Sequence, residues 1–482
     1  MDAAAAESDV QLYKASAELL AELQQKLLLL LQAPNKCPRK WILHTKTSEV
    51  IRLLDSFQEW PQLLDPVLAD LVHALVEAFL AYCINSRDVY RQNAQIQTNH
   101  IEPLPRAICR LLYVFCKVRG HKVIVRLLNN EPKYIEPLLV CFMQWKHSSV
   151  SSPSTVSWEE RYIMLLWLSH LLLAPFELNT ISGFGSSNAS MVEPFSSMPL
   201  PEVAKLLLAV ALDFLFAASK ERESASLLIV RLALRKDMQA FGLPHAAFHW
   251  CTNELKANHQ NALAHQYRHV GLLTLLFGLT NSSSSTEAAP FVQHIFDTCK
   301  ELATGTSVES LAARQSAPAR KLLVKIMRSS MLHTLALANS GLQEAAEQAE
   351  SMLESGIQIL LEWLADSDTP VRQAASKALG MIIHKLAHDM AAEVVEAVLA
   401  CLDENMLLED RRTGQLTAMT DLFSVDTKLY KKNLNAVDAL KWHGAMLTLG
   451  HILFRRSPPP EQLSSILDAL LTGLAFEQRS NV

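Results

Sequence analysis

The chain has 482 residues, half of them hydrophobic, 19% charged and 7% aromatic. That length exceeds what one hydrophobic core serves, so it implies several domains or an extended repeat array. Abundant leucine and alanine with only 14 glycines favour helices over sandwiches and barrels, and a net charge of −5 gives no global drive toward nucleic acid.

In chain order, residues 1–10 read as a disordered tip, and 11–31 as a strong helix ending in the run Leu27–Leu31. Pro34 and Pro38 break it, and helical periodicity resumes at 48–57 and 66–84. Asp65-Pro66 is a good helix start, with a capping oxygen and a proline whose missing N–H costs nothing there. Further helices are predicted near 101–119, 121–129, 133–146, 157–174, 201–217, 221–235, 244–256 and 259–280. The series continues near 287–303, 317–338, 341–364, 370–388, 390–402, 436–454 and 460–474. No alternation of apolar and polar residues is long enough to predict a strand.

These elements group into an N-terminal helix and linker (1–47), N-terminal repeats (48–178) and a loop rich in Ser, Gly and Pro (179–199). Middle repeats (200–340), a HEAT pair region (341–407), an insertion (408–435) and a last helix pair (436–482) follow. The repeat signal is clearest at 356–386. Ile357, Leu360, Leu361 and Leu364 fall on one face of a first helix. Next come Asp366-Ser-Asp-Thr-Pro-Val-Arg372, with Thr369 as the expected cap and Pro370 at the first helical position. Val371, Ala375, Ala378, Leu379, Ile382 and Ile383 form the second helix's buried stripe. This string resembles the turn and second helix of HEAT repeats, whose period implies about nine or ten helix pairs stacked as an armadillo-like α-solenoid with a long concave surface. Asp366, Pro370, Val371, Arg372, Ala375, Trp442 and Gly444 are the repeat-structural positions.

The sequence holds no G-x-x-x-x-G-K-[ST] loop, no G-x-S-x-G elbow and no H-E-x-x-H. Gly183-Phe-Gly185 does not continue into a dinucleotide fingerprint. The pairs His245/His249, His265/His269 and His384/His388 have helical spacing but lack Cys or acidic partners, so they read as ordinary helix histidines and not as zinc ligands. No cofactor, metal or catalytic residue is therefore expected. The most apolar stretches, Tyr162–Phe176 and Val203–Ala218, are interrupted by polar residues, and no membrane span is expected. Eight scattered cysteines without a C-x-x-C pair, behind an N-terminus unlike a secretory leader, imply reduced, buried thiols in the cytoplasm.

Between Pro103 and Asn130 stand Arg106, Arg110, Lys117, Arg119, Lys122 and Arg126 with no acidic residue. They read either as a solvated face between repeats or as a docking patch for an acidic partner. Trp158, Trp167, Trp250, Trp363 and Trp442 lie in helix patterns where core packing is the default.

Several collinear blocks carry a more specific likeness. They are Phe57-Gln-Glu-Trp-Pro-Gln-Leu-Leu-Asp-Pro66, Leu112-Tyr-Val-Phe-Cys-Lys-Val-Arg-Gly-His-Lys122 and Trp158-Glu-Glu-Arg-Tyr-Ile-Met-Leu-Leu-Trp-Leu-Ser169. Glu136-Pro137, Pro175-Phe176, Lys220-Glu-Arg-Glu-Ser-Ala225, Val371-Arg372 and Lys441-Trp-His-Gly444 complete the set. Together they resemble the N-terminal part of the tubulin-folding cofactor D family, whose members are much longer. The resemblance implies capture of β-tubulin, assembly or dissociation of the α/β-tubulin heterodimer with sister cofactors, and association with an Arf-like small GTPase. It also implies stimulation of GTP hydrolysis by tubulin in company with those cofactors, a cytoplasmic or microtubule-associated location, and no nucleic-acid partner. The alternative is a generic HEAT scaffold or adaptor for another protein. Leu467, Leu470, Leu471, Leu474 and Phe476 are expected to form an uncapped apolar face on the last helix.

Overall fold

A computed structural model describes residues 2–31, 40–85, 100–147, 156–181, 194–257, 262–339, 343–418 and 429–479. They fall into two compact units, Met1–Ala247 and Phe248–Val482, the division lying within one helix (Leu243–Lys256) of the stretch read as middle repeats. Most of the loop assigned to 179–199, including Gly183 and Gly185, lies outside the described residues, as do Cys37 and part of the 408–435 insertion.

The first unit is two layers of helices. One layer runs α2 (His44–Asp55), α4 (Leu104–Phe115), α7 (Trp158–Leu171) and α9 (Glu221–Ala233), each packed on the next. The other holds α1 (Asp2–Leu31), α3 (Asp65–Asn85), α6 (Ile135–His147) and α8 (Glu202–Leu215). Between α4 and α6 lie a π-helical turn, Cys116–Gly120, and the short α5 (His121–Val125). Gly120 takes φ 95°, a left-handed conformation suited to glycine, so the chain turns there. Helix α7 opens with a full capping box: the Ser157 hydroxyl accepts from Glu160 N–H while the Glu160 carboxylate accepts from Ser157 N–H. Its all-round apolar sequence suits a helix packed on several sides, and Trp167 is fully buried with Nε1–H donating to Asn129 O at 2.9 Å.

The stretch Pro61–Ile84 is long and apolar enough to cross a membrane by length and composition, which corrects the expectation that no segment qualifies. Its helix, α3, instead supplies core to the first unit through Leu71, Val72, Leu75 and Phe79. Asp65 is its first residue, and both carboxylate oxygens of Asp65 are taken by Arg119.

The second unit repeats the scheme. Helices α12 (Ala262–Ser282), α16 (Ala317–Ala338), α18 (Thr369–Ile383) and α20 (Ala439–Phe454) form one layer. The other contains α14 (Val292–Thr304), α17 (Gln343–Glu362), α19 (His388–Asp403) and α21 (Leu463–Arg479). Short helices α13 (Ser285–Ala288) and α15 (Val308–Gln315) lie between them, while α10 (Lys236–Ala240) belongs to the first unit and α11 (Leu243–Lys256) is the helix that carries the division.

Among the described residues, five short strands correct the expectation of none. β1 (Trp41–Leu43) pairs antiparallel with β2 (Ile101–Pro103), aligning Ile42 with Glu102. β3 (Leu407–Asp410) is the centre of an antiparallel sheet, flanked by β4 (Leu416–Ala418) and β5 (Tyr430–Asn433). Strands of three or four residues carry too little alternation to be read from sequence.

Gly444 explains why α20 sits so close to the preceding repeat. A Cβ there would lie 2.8 Å from the carbonyl carbon of Leu364 and closer still to its oxygen, both backbone atoms that cannot swing aside. Gly444→Ala is therefore expected to cost about 2 kcal/mol despite the better helix propensity of alanine, read as a lowered midpoint in urea unfolding. An unchanged midpoint would contradict this close approach. At the last helix, Leu467, Leu471 and Leu474 are exposed and Leu470 is half-buried, so the expected apolar face stands open. The side chain of Phe476 lies outside the described residues.

Candidate interaction surfaces

The six cations of the 103–130 stretch do not form an open patch. Arg106 donates to Glu160 at 3.2 Å, and Glu160 is wholly buried. Arg110 Nη1 donates to both carboxylate oxygens of Glu102, at 2.9 and 3.0 Å, so the sheet residue Glu102 is buried with its charge paired. Lys117 meets Asp55 at 3.2 Å, and Arg119 forks onto Asp65 at 2.6 and 2.8 Å. The hydrogen bond and charge of Arg119 hold Asp65 below the usual carboxylate range. The four acids come from α2, α3, β2 and α7, so these four cations tie neighbouring elements together. Lys122 and Arg126 remain exposed, and neither meets a carboxylate among the described residues.

The turn read as a HEAT signature is wired across three successive helices of one layer. Arg320 of α16 forks onto Asp366 at 2.7 and 3.0 Å and reaches Asp368 at 2.6 Å. The bond to Asp366 leads in holding the Arg320 guanidinium above its ordinary pKa, against its own burial. Arg372, itself buried, donates to Asp366 O at 2.6 Å, Ser367 O at 3.1 Å and Thr369 Oγ1 at 2.9 Å, and reaches His443 Nδ1 of α20 at 3.0 Å. Thr369 is thus the first helical residue and not the cap; Asp368 takes the N-cap position without a side-chain capping bond. Pro370 accordingly occupies the second helical position, one later than expected. Val371 and Ala375 are fully buried, and Trp442 sends Nε1–H to Leu402 O at 2.8 Å. Asp366 and Arg372 thus link the turn to α16 before it and α20 after it, while Trp442 ties α20 to α19 in the other layer.

Among the described cysteines, six are buried and Cys401 is half-buried. Cys83 donates to Cys141 across 3.4 Å, and that bond together with burial pushes the Cys83 thiol well up. Such thiols are poor nucleophiles. Of the tryptophans, Trp158, Trp250 and Trp363 are partly covered, and Trp158 packs edge-on to Tyr113 at 4.5 Å. Trp60, within the Phe57–Pro66 block, is half exposed. His384 bonds Ser457 at 2.6 Å and His388 reaches Glu461 at 3.3 Å, while the side chain of His265 lies outside the described residues. Among the described residues, no three His, Cys, Asp or Glu converge on a metal-sized site.

One surface is invisible from spacing alone. Helices α17 and α19 belong to the same layer but do not close on each other, and between them lies a groove of about 620 Å³.

Layers of helix pairs in each unit, with the Asp366–Arg372 turn pinned to the helices before and after it, make this an armadillo-like helical-repeat protein. Two ARM-repeat models of one family match it in order, both described as tubulin-specific chaperone D-like, over residues 54–255 and 312–437. The chain belongs to the tubulin-specific chaperone D-like family. It is similar to the tubulin-folding cofactor D of Schizosaccharomyces pombe, 23% identical over 89% of this chain and 34% of that protein. It is also similar to the tubulin-specific chaperone D of Dictyostelium discoideum, 22% identical over 90% of this chain and 34% of that protein. The chain thus spans about a third of the length of these relatives, as the likeness to an N-terminal part implies. A solved structure of UNC-45 from Drosophila melanogaster aligns with 95% of this chain and 61% of its own, at 12% identity and a TM-score of 0.23.

Proposed function

We propose that this chain is a tubulin-folding factor that binds β-tubulin and takes part in assembling or dissociating the α/β-tubulin heterodimer. The observation that carries this is the ordered match of both chaperone D-like segments, supported by relatives whose names state tubulin folding. It works without a catalytic step of its own, in the cytoplasm or on microtubules. It associates with an Arf-like small GTPase, and in company with sister cofactors it stimulates GTP hydrolysis by tubulin. Repeat layers suit such work because a helical array offers area to a large folded client.

The test is size-exclusion chromatography of the purified chain with tubulin, with and without an Arf-like GTPase. Co-elution is expected; a folded chain that elutes alone under both conditions overturns the proposal for this stretch. Within the basic stretch, Lys122 and Arg126 are the cations left to meet an acidic client. Lys122→Glu combined with Arg126→Glu is expected to weaken tubulin capture roughly tenfold at low salt while circular dichroism stays unchanged. Wild-type capture by that variant rejects this face as the docking site. Arg119→Glu is a poor probe, because it sets a carboxylate against Asp65 and loosens α3.

A further inference from the structure

The groove between α17 and α19 has the two properties of a helix-binding site, an apolar floor and a charged rim of one sign. Its floor is formed by Leu353, Ile357 and Leu361 from α17 and by Val394, Ala397 and Cys401 from α19. The α17 residues recur every four positions and so make one continuous stripe. Beside it runs a second row at the same spacing, Glu350, Glu354, Gln358 and Glu362, and Glu393 faces them from α19. The four glutamates are exposed, and none takes part in an ion pair among the described residues. The one lining cation, Lys441 at the groove's end, is already paired with Glu404.

Like charges four apart on a helix repel, so Glu350 and Glu354 weaken α17 slightly while no cation stands between them. An incoming row of Lys or Arg turns that repulsion into attraction. We propose that this groove binds an amphipathic α-helix of another protein, with apolar side chains seated on the floor and basic residues along the glutamate rim. From Glu350 to Glu362 the groove edge runs about 18 Å, which matches about three turns of an incoming helix. Met390 at the mouth, 38% exposed, is an unbranched and polarizable side chain that can adapt to the ligand's apolar residues. The same rim repels anionic lipid and nucleic-acid phosphate, so a protein helix is the occupant that the charge favours. The proposal stands independently of tubulin handling, and an acidic client face would be repelled here.

The experiment uses the full chain and a fluorescein-labelled synthetic helix of about 14 residues, leucine at the i, i+3, i+4, i+7 positions and lysine elsewhere, followed by anisotropy. Two control peptides are its glutamate-for-lysine counterpart and a scramble that destroys the apolar stripe. The basic amphipathic peptide is expected to bind roughly tenfold or more tighter than either control. Glu350→Lys with Glu354→Lys, both exposed positions that should leave the melt unchanged, is expected to weaken it by a similar factor and to improve binding of the glutamate peptide. Equal binding of the scramble overturns the proposal by reducing it to bulk charge attraction. Wild-type affinity in the double variant overturns it by placing the peptide elsewhere. Sedimentation velocity tests the remaining occupant: if the chain self-associates and the double variant is monomeric, a second copy fills the groove and the heterologous helix is overturned.

Discussion

Val371→Asp is expected to destabilise the second unit by about 4 kcal/mol. Val371 is fully buried in α18, a helix flanked by α16 and α20 in its layer. The substitution forfeits the burial of the valine side chain, worth about 2 kcal/mol, and asks a carboxylate to leave water. The nearest guanidinium in sequence, Arg372, offers no rescue, because its donors already serve Asp366 O, Ser367 O, Thr369 Oγ1 and His443 Nδ1. The new carboxyl therefore takes a raised pKa in the folded state. A group of that kind binds its proton more readily folded than unfolded, so the deficit is largest near neutral pH and shrinks as the pH falls through the raised value. Urea melts at neutral and mildly acidic pH measure both effects. A variant melting like the parent at both would mean that Val371 does not face a core.

That the repeat turn is legible in the sequence while the ion pairs of the basic stretch are not has one cause, the range of the interactions involved. Asp366, Pro370, Val371 and Arg372 sit within one turn, so their spacing displays most of their job directly, although the N-cap fell to Asp368 and not to Thr369. Arg106, Arg110, Lys117 and Arg119 look unopposed along the chain because their neutralising acids, Glu160, Glu102, Asp55 and Asp65, come from other elements. Glu102 stands one residue before the stretch, but it takes the fold of β2 back toward α4 to aim its carboxylate at Arg110. Long amphipathic helices are legible because one face repeats many times. The sheet at Leu407–Asn433 is not, since its strands are short and Leu407-Leu-Glu-Asp410 does not alternate. Helix α3 shows the same limit in reverse: its composition alone suits a membrane as well as a core, and only packing of Leu75 and Phe79 tells them apart. The groove escapes sequence altogether, because the glutamate row of α17 reads as an ordinary solvated face until α19 is seen to stand away from it.

Arg320→Ala is expected to cost about 3 kcal/mol, the low end for breaking a buried ion pair by removing one partner. The wild-type pair is 11% exposed at Arg320 and 7% at Asp366, so little water replaces the lost guanidinium. Asp366 keeps one bond, accepting from Asp368 N–H at 2.8 Å, which moderates the loss. Asp366→Ala should cost less, about 2 kcal/mol, because Arg320 retains Asp368 and also donates to Arg314 O. The double variant is then expected to fall short of the summed single costs by about 1–3 kcal/mol, the signature of direct coupling. Arg320→Lys separates charge from geometry. An ammonium restores the charge but cannot span both oxygens of Asp366 while reaching Asp368, so it recovers only part of the stability. Additive single costs in a urea-melt cycle would show that the Asp366 turn is held by its own backbone. Coupling would show that it is pinned from the preceding repeat, and that the Asp of this signature exists to receive an arginine 46 residues away.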